Sequence, residues 1–305
     1  MFAVTILGNN SALPMYDRHP TSQVVTYNEF LFLVDCGEGT QSQMTRYKIR
    51  RNRIRHIFIS HLHGDHYFGL PGLLTSYGLN NRTEDLWIFC PSQLEAIIDL
   101  QLKAAGTILP FPLHFVTLDK EAVIFDDKKI RVSCFPVNHR IPCWGFLFEE
   151  KPKPLKLNPD LLRAYAVPSE WYGRLRSGED FIMKTGEVIP NEAFTVPGGQ
   201  VLSYAYCADT AYDEAIAEKV KHADLLYHET TYLDNQRDKA SLRGHSTTRQ
   251  AAAIARQAQA RRLLIGHFSS RYEMLDEFLE ETKADFENTE LAIEGATYFV
   301  SNQSS

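Results

Sequence analysis

Ser60-His61-Leu62-His63-Gly64-Asp65-His66, with the apolar run Arg55-His56-Ile57-Phe58-Ile59 before it, decides how the rest of the chain is read. The run reads as a short buried strand. At its end, three histidines and a carboxylate fall within six residues. On an extended or turning backbone, His61 and His63 at i and i+2 point the same way. They can hold one metal ion, while Asp65 and His66 on the turn beyond face a second. Imidazole and carboxylate suit zinc first, with manganese and iron after it. Chance is a poor account of this cluster, because the chain has 11 histidines in 305 residues.

Working outward, 44% hydrophobic residues allow a substantial core in one large or two modest domains. No apolar run is long enough for a transmembrane helix. Met1-Phe2-Ala3-Val4-Thr5-Ile6-Leu7-Gly8 lacks a basic start and a cleavage site, and reads as a first strand. Five dispersed cysteines (Cys36, Cys90, Cys134, Cys143 and Cys207) form no C-x-x-C pair, which points to reduced thiols in the cytoplasm. The formal net charge of −6 argues mildly against a nucleic-acid binder, but the charge is unevenly placed. Arg46, Lys48, Arg50, Arg51, Arg53 and Arg55 run without an acid among them, a patch that could meet phosphates at the mouth of the site. The stretch from Glu273 to Glu294 is acidic and reads as a solvated back face.

Strands are expected at Gln23–Tyr27, Phe30–Val34, Asp85–Cys90, Leu113–Thr117, Ile130–Pro136, Val201–Cys207, Asp224–Tyr227, Arg262–Ile265 and Glu290–Glu294. Helices are expected at Gln41–Tyr47 (capped by Thr40), from Gly69, and at Ser92–Ala105, Asp213–Lys221, Thr247–Ala260 and Tyr272–Phe286. This alternation implies a layered α/β domain. Glu149–Pro197 differs. It is Pro/Lys-rich at Lys151-Pro152-Lys153-Pro154-Leu155-Lys156 and mixes aromatics with cations at Trp171-Tyr172-Gly173-Arg174-Leu175-Arg176. It lacks the periodicity for a core and reads as an inserted arm suited to phosphate and base contact. Asp35, at a strand end, is placed to orient metal-bound histidines.

The His61-to-His66 motif, continued by Tyr67-Phe68-Gly69-Leu70-Pro71-Gly72-Leu73-Leu74, resembles the metal signature of the metallo-β-lactamase superfamily. Within it, the chain resembles ribonuclease Z, endonucleases that trim precursor tRNA 3′ ends. Asp35-Cys36-Gly37-Glu38-Gly39-Thr40-Gln41, His228-Glu229-Thr230-Thr231 and Gly244-His245-Ser246-Thr247 are similar to that family too, with Thr230 where Ala is usual. The loop Pro14–His19 keeps Pro14 and Arg18 but has Tyr16 for Lys and His19 for Asn. The arm has Pro168-Ser169-Glu170-Trp171 in place of a Gly-Pro step.

The resemblance implies a four-layered αββα sandwich over residues 1–305, with a protruding flexible arm, the exosite, at 149–197. It implies two zinc ions per subunit, with manganese or iron as alternatives. His61, His63 and His139 would hold the first ion, Asp65, His66 and His267 the second, and Asp209 would bridge them. Asp65 would be the general base, and His245 supported by Glu229 the proton donor. Arg18, Arg174, Arg176 and Arg271 would touch RNA. The implied enzyme is a cytoplasmic, homodimeric endoribonuclease that hydrolyses the phosphodiester after the discriminator nucleotide. A small-molecule metallohydrolase of the same fold would keep the ligands without needing the arm or the Glu229/His245 pair. A non-catalytic RNA-binding member would show eroded ligands, and none is missing.

Overall fold

The structure is a computed structural model that describes residues 1–301. Its chain divides into two compact units. One comprises Met1–Asp126, Val132–Phe148 and the described residues from Leu202 onward; the other comprises Asp127–Arg131 and Glu149–Val201.

The larger unit is built on two seven-stranded sheets. The first runs in the order Thr297–Phe299, Phe2–Gly8, Ser22–Tyr27, Phe30–Val34, Ile54–Phe58, Leu86–Cys90 and Leu113–Thr117. Its last four strands are mutually parallel. The second runs Thr289–Leu291, Leu263–Gly266, Leu225–Glu229, Ser203–Cys207, Cys143–Glu150, Ile130–Val137 and Ala122–Asp126, with its first four strands parallel.

Large aromatics fill the space between the sheets. The Phe32 and Phe148 rings lie 5.6 Å apart, and those of Phe58 and Phe146 5.4 Å. Each such side chain contributes roughly 1.5–3 kcal/mol by burial. On the outer face of the first sheet, Leu33, Ile57 and Ile88 pack on Met44, Leu70, Leu73 and Leu94 of the helices Thr40–Arg46, Leu70–Leu79 and Gln93–Ala104. Ala205, Leu226 and Ile265 of the second sheet pack on Ile216, Ile254 and Phe278 of Ala215–Lys219, Thr248–Gln257 and Asp276–Asp285. The order of layers is therefore helix, sheet, sheet, helix, as expected.

Three local expectations are corrected. Thr40 does not cap its helix: the cap is Gly39 at φ 84°, and Thr40 Oγ1 donates to Gly37 O at 2.8 Å. Residues Arg50 to Arg55 do not reach the mouth of the site. They precede or open the strand Ile54–Phe58, whose far end carries the histidines, about five residues or about 16 Å away. The smaller unit has a core of its own, made by Leu162, Val167, Leu175, Phe181, Ile189 and Phe194.

That smaller unit is assembled from very short pieces. Lys156–Leu157 pairs with Thr195–Val196, and Phe181–Ile182 with Val188–Ile189. The helix Pro159–Ala164 is capped by Asn158, whose Oδ1 accepts from the amides of Asp160 and Leu161. Pieces of two to six residues are too short to show a hydrophobic period.

Candidate metal centre and proton donor

The site forms where strands of both sheets end together, so side chains distant in sequence converge. Ile54–Phe58 delivers His61, His63, Asp65 and His66. Ile130–Val137 delivers His139, Ser203–Cys207 delivers Asp209, Leu225–Glu229 ends on Glu229, and Leu263–Gly266 delivers His267. Asp35, Asp209 and His267 sit at φ 56°, 53° and 61°. This left-handed backbone is costly for residues with a Cβ and marks positions held by their function.

Two donor sets result. In the first, His61 Nε2 lies 3.0 Å from His63 Nδ1, which lies 3.2 Å from His139 Nε2. Asp209 Oδ2 lies 3.3 Å from His61 Nε2 and 3.7 Å from His139 Nε2. In the second, His66 Nε2 and His267 Nε2 are 3.3 Å apart, and Asp65 Oδ2 is 3.6 and 3.5 Å from them. Asp209 Oδ1 is 2.9 Å from His267 Nε2 and 3.2 Å from His66 Nε2. One oxygen of Asp209 thus belongs to each set.

The hydrogen bonds around the rings decide what these short distances mean. His61 Nδ1 meets Ser60 Oγ at 3.0 Å, and His66 Nδ1 donates to Asp35 Oδ2 at 2.8 Å. His139 Nδ1 donates to Gly244 O at 2.7 Å, and His267 Nδ1 meets Thr231 Oγ1 at 2.9 Å. With those nitrogens donating, each Nε2 presents a lone pair inward. Lone pairs about 3 Å apart repel unless a cation sits among them, and a tetrahedral ion with bonds of about 2.0–2.1 Å spaces its ligands by about 3.3 Å. Asp209 Oδ1 is buried without a hydrogen-bond donor. The donor set therefore fits a bound divalent metal.

The electrostatics agree. Burial raises the Asp65 carboxyl, but the imidazoles, His66 first, outweigh it and hold it below the ordinary carboxylate range. Burial opposes charge on His267, yet Asp209 beside it brings the imidazole up to about 10. The carboxylates thus create a field that attracts positive charge, and a divalent ion would answer it.

Beside the donor sets, His245 Nδ1 donates to Glu229 Oε1 at 2.8 Å. Glu229 is fully enclosed and also accepts from the amides of Thr210 and Thr231, each at 3.0 Å, and from Thr231 Oγ1 at 2.6 Å. Burial disfavours the charged His245 ring, but the Glu229 charge and hydrogen bond prevail and raise its pKa. The ring lies 5.4 Å from that of His139 and 5.5 Å from that of His267. A ring whose protonated form is favoured in this way, next to the metal donor sets, can give up a proton.

The sequence-predicted residues divide clearly. All seven expected ligands, Asp35 and the Glu229/His245 pair come together. Arg18 and Arg174 are engaged in contacts within the chain, whereas Arg176 and Arg271 are exposed. Arg18 donates to Asn10 Oδ1 at 3.1 Å and to the carbonyls of Tyr272 and Glu273, so its guanidinium is engaged within the chain. Arg174 pairs with Glu179 at 2.8 Å and lies over the Trp171 ring. Arg176 lines a cavity of about 770 Å³ with Lys156 and Tyr172, and Arg271 is exposed. His19 is no ligand; its Nδ1 lies 3.0 Å from Glu294 Oε2. Sequence reasoning missed Ala12, whose amide donates to Asp65 Oδ2 at 2.8 Å, and the bridging role of Thr231.

A family described as Anti-Pycsar protein Apyc1 matches residues 2–151, and one described as Beta-lactamase superfamily domain matches residues 169–268. A ribonuclease Z of Bacteroides thetaiotaomicron is 43% identical over 303 residues, covering 99% of this chain and 96% of its own length. One from Porphyromonas gingivalis is 42% identical, covering 94% and 95%. Among solved structures, human tRNase Z, short form, aligns with a TM-score of 0.72 and 28% identity, covering 98% of this chain and 99% of its own.

Proposed function

Because the chain belongs to the ribonuclease Z family, and is thereby an endoribonuclease that removes the 3′ trailer of precursor tRNA, we propose that it works with two zinc ions, to each of which Asp209 would offer one oxygen. His61, His63 and His139 would hold one ion, and Asp65, His66 and His267 the other. When bound, such ions lower the pKa of a water to about 7 and neutralise phosphoryl oxygens. Asp65, fixed by the Ala12 amide, accepts the proton of the attacking water. His245, whose protonated form Glu229 favours, gives its proton to the departing O3′ of the discriminator nucleotide. The products are a tRNA ending in a 3′-hydroxyl and a trailer beginning with a 5′-phosphate.

The observation that carries this reading is the division of the Asp209 oxygens between the two donor sets. The test pairs metal content with cleavage: protein stripped by chelator and reloaded with zinc should regain one cut after the discriminator at two ions per chain. Full activity at one ion, or hydrolysis of a small phosphodiester with intact tRNA, sinks it.

The smaller unit is assigned to gripping tRNA, supported by its exposed cations Lys156 and Arg176, which line a cavity with the half-buried Tyr172. Deleting Lys151–Ile189 should damage tRNA cleavage far more than hydrolysis of a small phosphodiester; equal losses contradict the assignment. A homodimer is supported by family membership, and light scattering tests it. A cytoplasmic location is supported by the five free, buried cysteines. Among the described residues no helix is long and apolar enough to cross a membrane.

A further inference from the structure

Cleavage at this site has a direction along the RNA. A water oxygen forms the new bond to phosphorus, and its proton goes to Asp65. The bond from phosphorus to O3′ breaks on the opposite side, its electron pair stays on O3′, and a proton from His245 makes the hydroxyl. The trailer leaves attached to phosphorus, to one side of that axis. The tRNA body is joined to O3′, so it must extend from the site past His245.

The surface around His245 is cationic. Gly244, at φ 72°, precedes His245 and abuts Arg140: a Cβ placed on it would lie 3.3 Å from Arg140 Cγ. Arg243 precedes Gly244 and ends the helix Arg237–Arg243. From the same helix, Lys239 Nζ lies 5.6 Å from the centre of the Tyr232 ring, which is 6.3 Å from that of His245. Ser269, two residues before Arg271, donates its amide to Thr231 O at 3.2 Å, next to Tyr232, and loss of solvent, then the charges of Arg271 and Arg243, lower the pKa of Lys239. Arg140, Arg243 and Arg271 are exposed, and Lys239 is half-buried. Among the described residues none of the four is in an ion pair, whereas Arg237 on the same helix is paired with Asp234.

The Asp65 side is unlike this. The loop that supplies the Ala12 amide exposes Leu13, Met15 and Tyr16. Its one arginine, Arg18, is spent on internal bonds, and nearby Arg46 faces Asp17 at 3.8 Å.

We infer that Arg140, Lys239, Arg243 and Arg271 form a track for the phosphates on the 5′ side of the cleaved bond, and that this track sets O3′ against His245. The inference rests on the proposed role of His245 as proton donor. The four residues are positioning residues: they fix which phosphodiester is presented, and take no part in bond breaking. Such contacts release counterions, so their loss weakens binding and flattens its salt dependence.

The test uses the full zinc-loaded chain and precursor tRNAs with trailers of different length. Replacing each cation by glutamine (Arg140→Gln, Lys239→Gln, Arg243→Gln, Arg271→Gln) should raise KM by about three- to tenfold, reduce the salt slope by about one, and spare most of kcat. Lys239→Arg should restore KM. The penalty should persist when the trailer is cut to one nucleotide. It should vanish when the acceptor-strand phosphates nearest the cut are made uncharged methylphosphonates. A penalty that vanishes with the shortened trailer places the track on the wrong side, and an unchanged KM removes it altogether. The proton-donor role is read separately. His245→Ala should be rescued by sulfur in place of the departing O3′, because a thiolate leaves without a proton. Failure of that rescue with an intact KM pattern overturns the donor, not the binding of phosphates.

Discussion

The two donor sets share Asp209 and differ in the charge set directly against them. The first is three imidazoles: His139 meets the neutral Gly244 carbonyl, and His61 meets the Ser60 hydroxyl, which itself donates to Asp35 at 2.8 Å. Burial leads the forces on His139 and brings its pKa down to about 4, so it stays an uncharged ligand. The second set adds the Asp65 carboxylate. Its histidines are backed by charge, His66 directly by Asp35 and His267 through Thr231 by Glu229. An ion in the second set would be more fully neutralised, by Asp65 and by Asp35 behind His66. An ion in the first would keep more of its own charge. The division suits a reaction that needs one firmly seated centre and one stronger electrophile.

The sharpest way to break this comparison is Asp65→Ala. It deletes both the charge that distinguishes the second set and the proposed base. Cleavage should fall by at least about 10²- to 10⁴-fold, with precursor tRNA binding largely kept. A mutant that cuts at near wild-type rate ends the assignment.

Next comes Glu229→Gln, read as a pH–rate profile. Glu229 raises the pKa of His245, so the protonated donor survives to higher pH. Without that charge the donor loses its proton earlier. The alkaline limb of kcat should then move to lower pH, and an unmoved limb excludes His245 as the titrating acid.

Asp35→Asn against Ser60→Ala sharpens the comparison further. Loss of an outer partner costs about 10- to 100-fold in metal affinity, and Asp35, which backs His66 directly and His61 through Ser60, should cost more than the Ser60 hydroxyl alone. Competition with a chelator measures both. Equal losses would mean that charge behind the ring does not matter here.

The smallest effect is expected from Ala12→Gly. Ala12 sits at φ 63°, a strain of about 1–2 kcal/mol that glycine relieves while giving back about 0.5–1 kcal/mol of chain entropy. The amide to Asp65 is kept, so thermal stability should rise slightly and kcat should hold. A large fall in kcat would show that the loop's stiffness, not its amide alone, holds the base.

What the sequence could disclose follows the same physics. Ligand side chains are legible because histidine and aspartate at strand ends have few other reasons to be there. The support from Ala12 is not, because a backbone amide leaves no mark on residue type. Cys143–Glu150 escaped notice because Cys143-Trp144-Gly145-Phe146 is buried on both faces and shows no alternation. Thr297–Phe299 is only three residues long and exists through its pairing with Phe2–Gly8. The core of the smaller unit hides for a similar reason, with Leu162 and Phe194 meeting across elements too brief to carry a period. The arginine run before Ile54 misled because proximity in sequence to His61 becomes the length of a strand in space.

Each donor set takes residues from both sheets: His61 and His63 from one with His139 and Asp209 from the other, then Asp65 and His66 with Asp209 and His267. A bound ion is therefore a rivet through the sandwich. An ion that binds only the folded chain stabilises it by about 2.7 kcal/mol at a hundred times its dissociation constant. The melting temperature of this protein should consequently report the free metal in its surroundings, and prolonged contact with a chelator should loosen the seam between the sheets before it unravels either one.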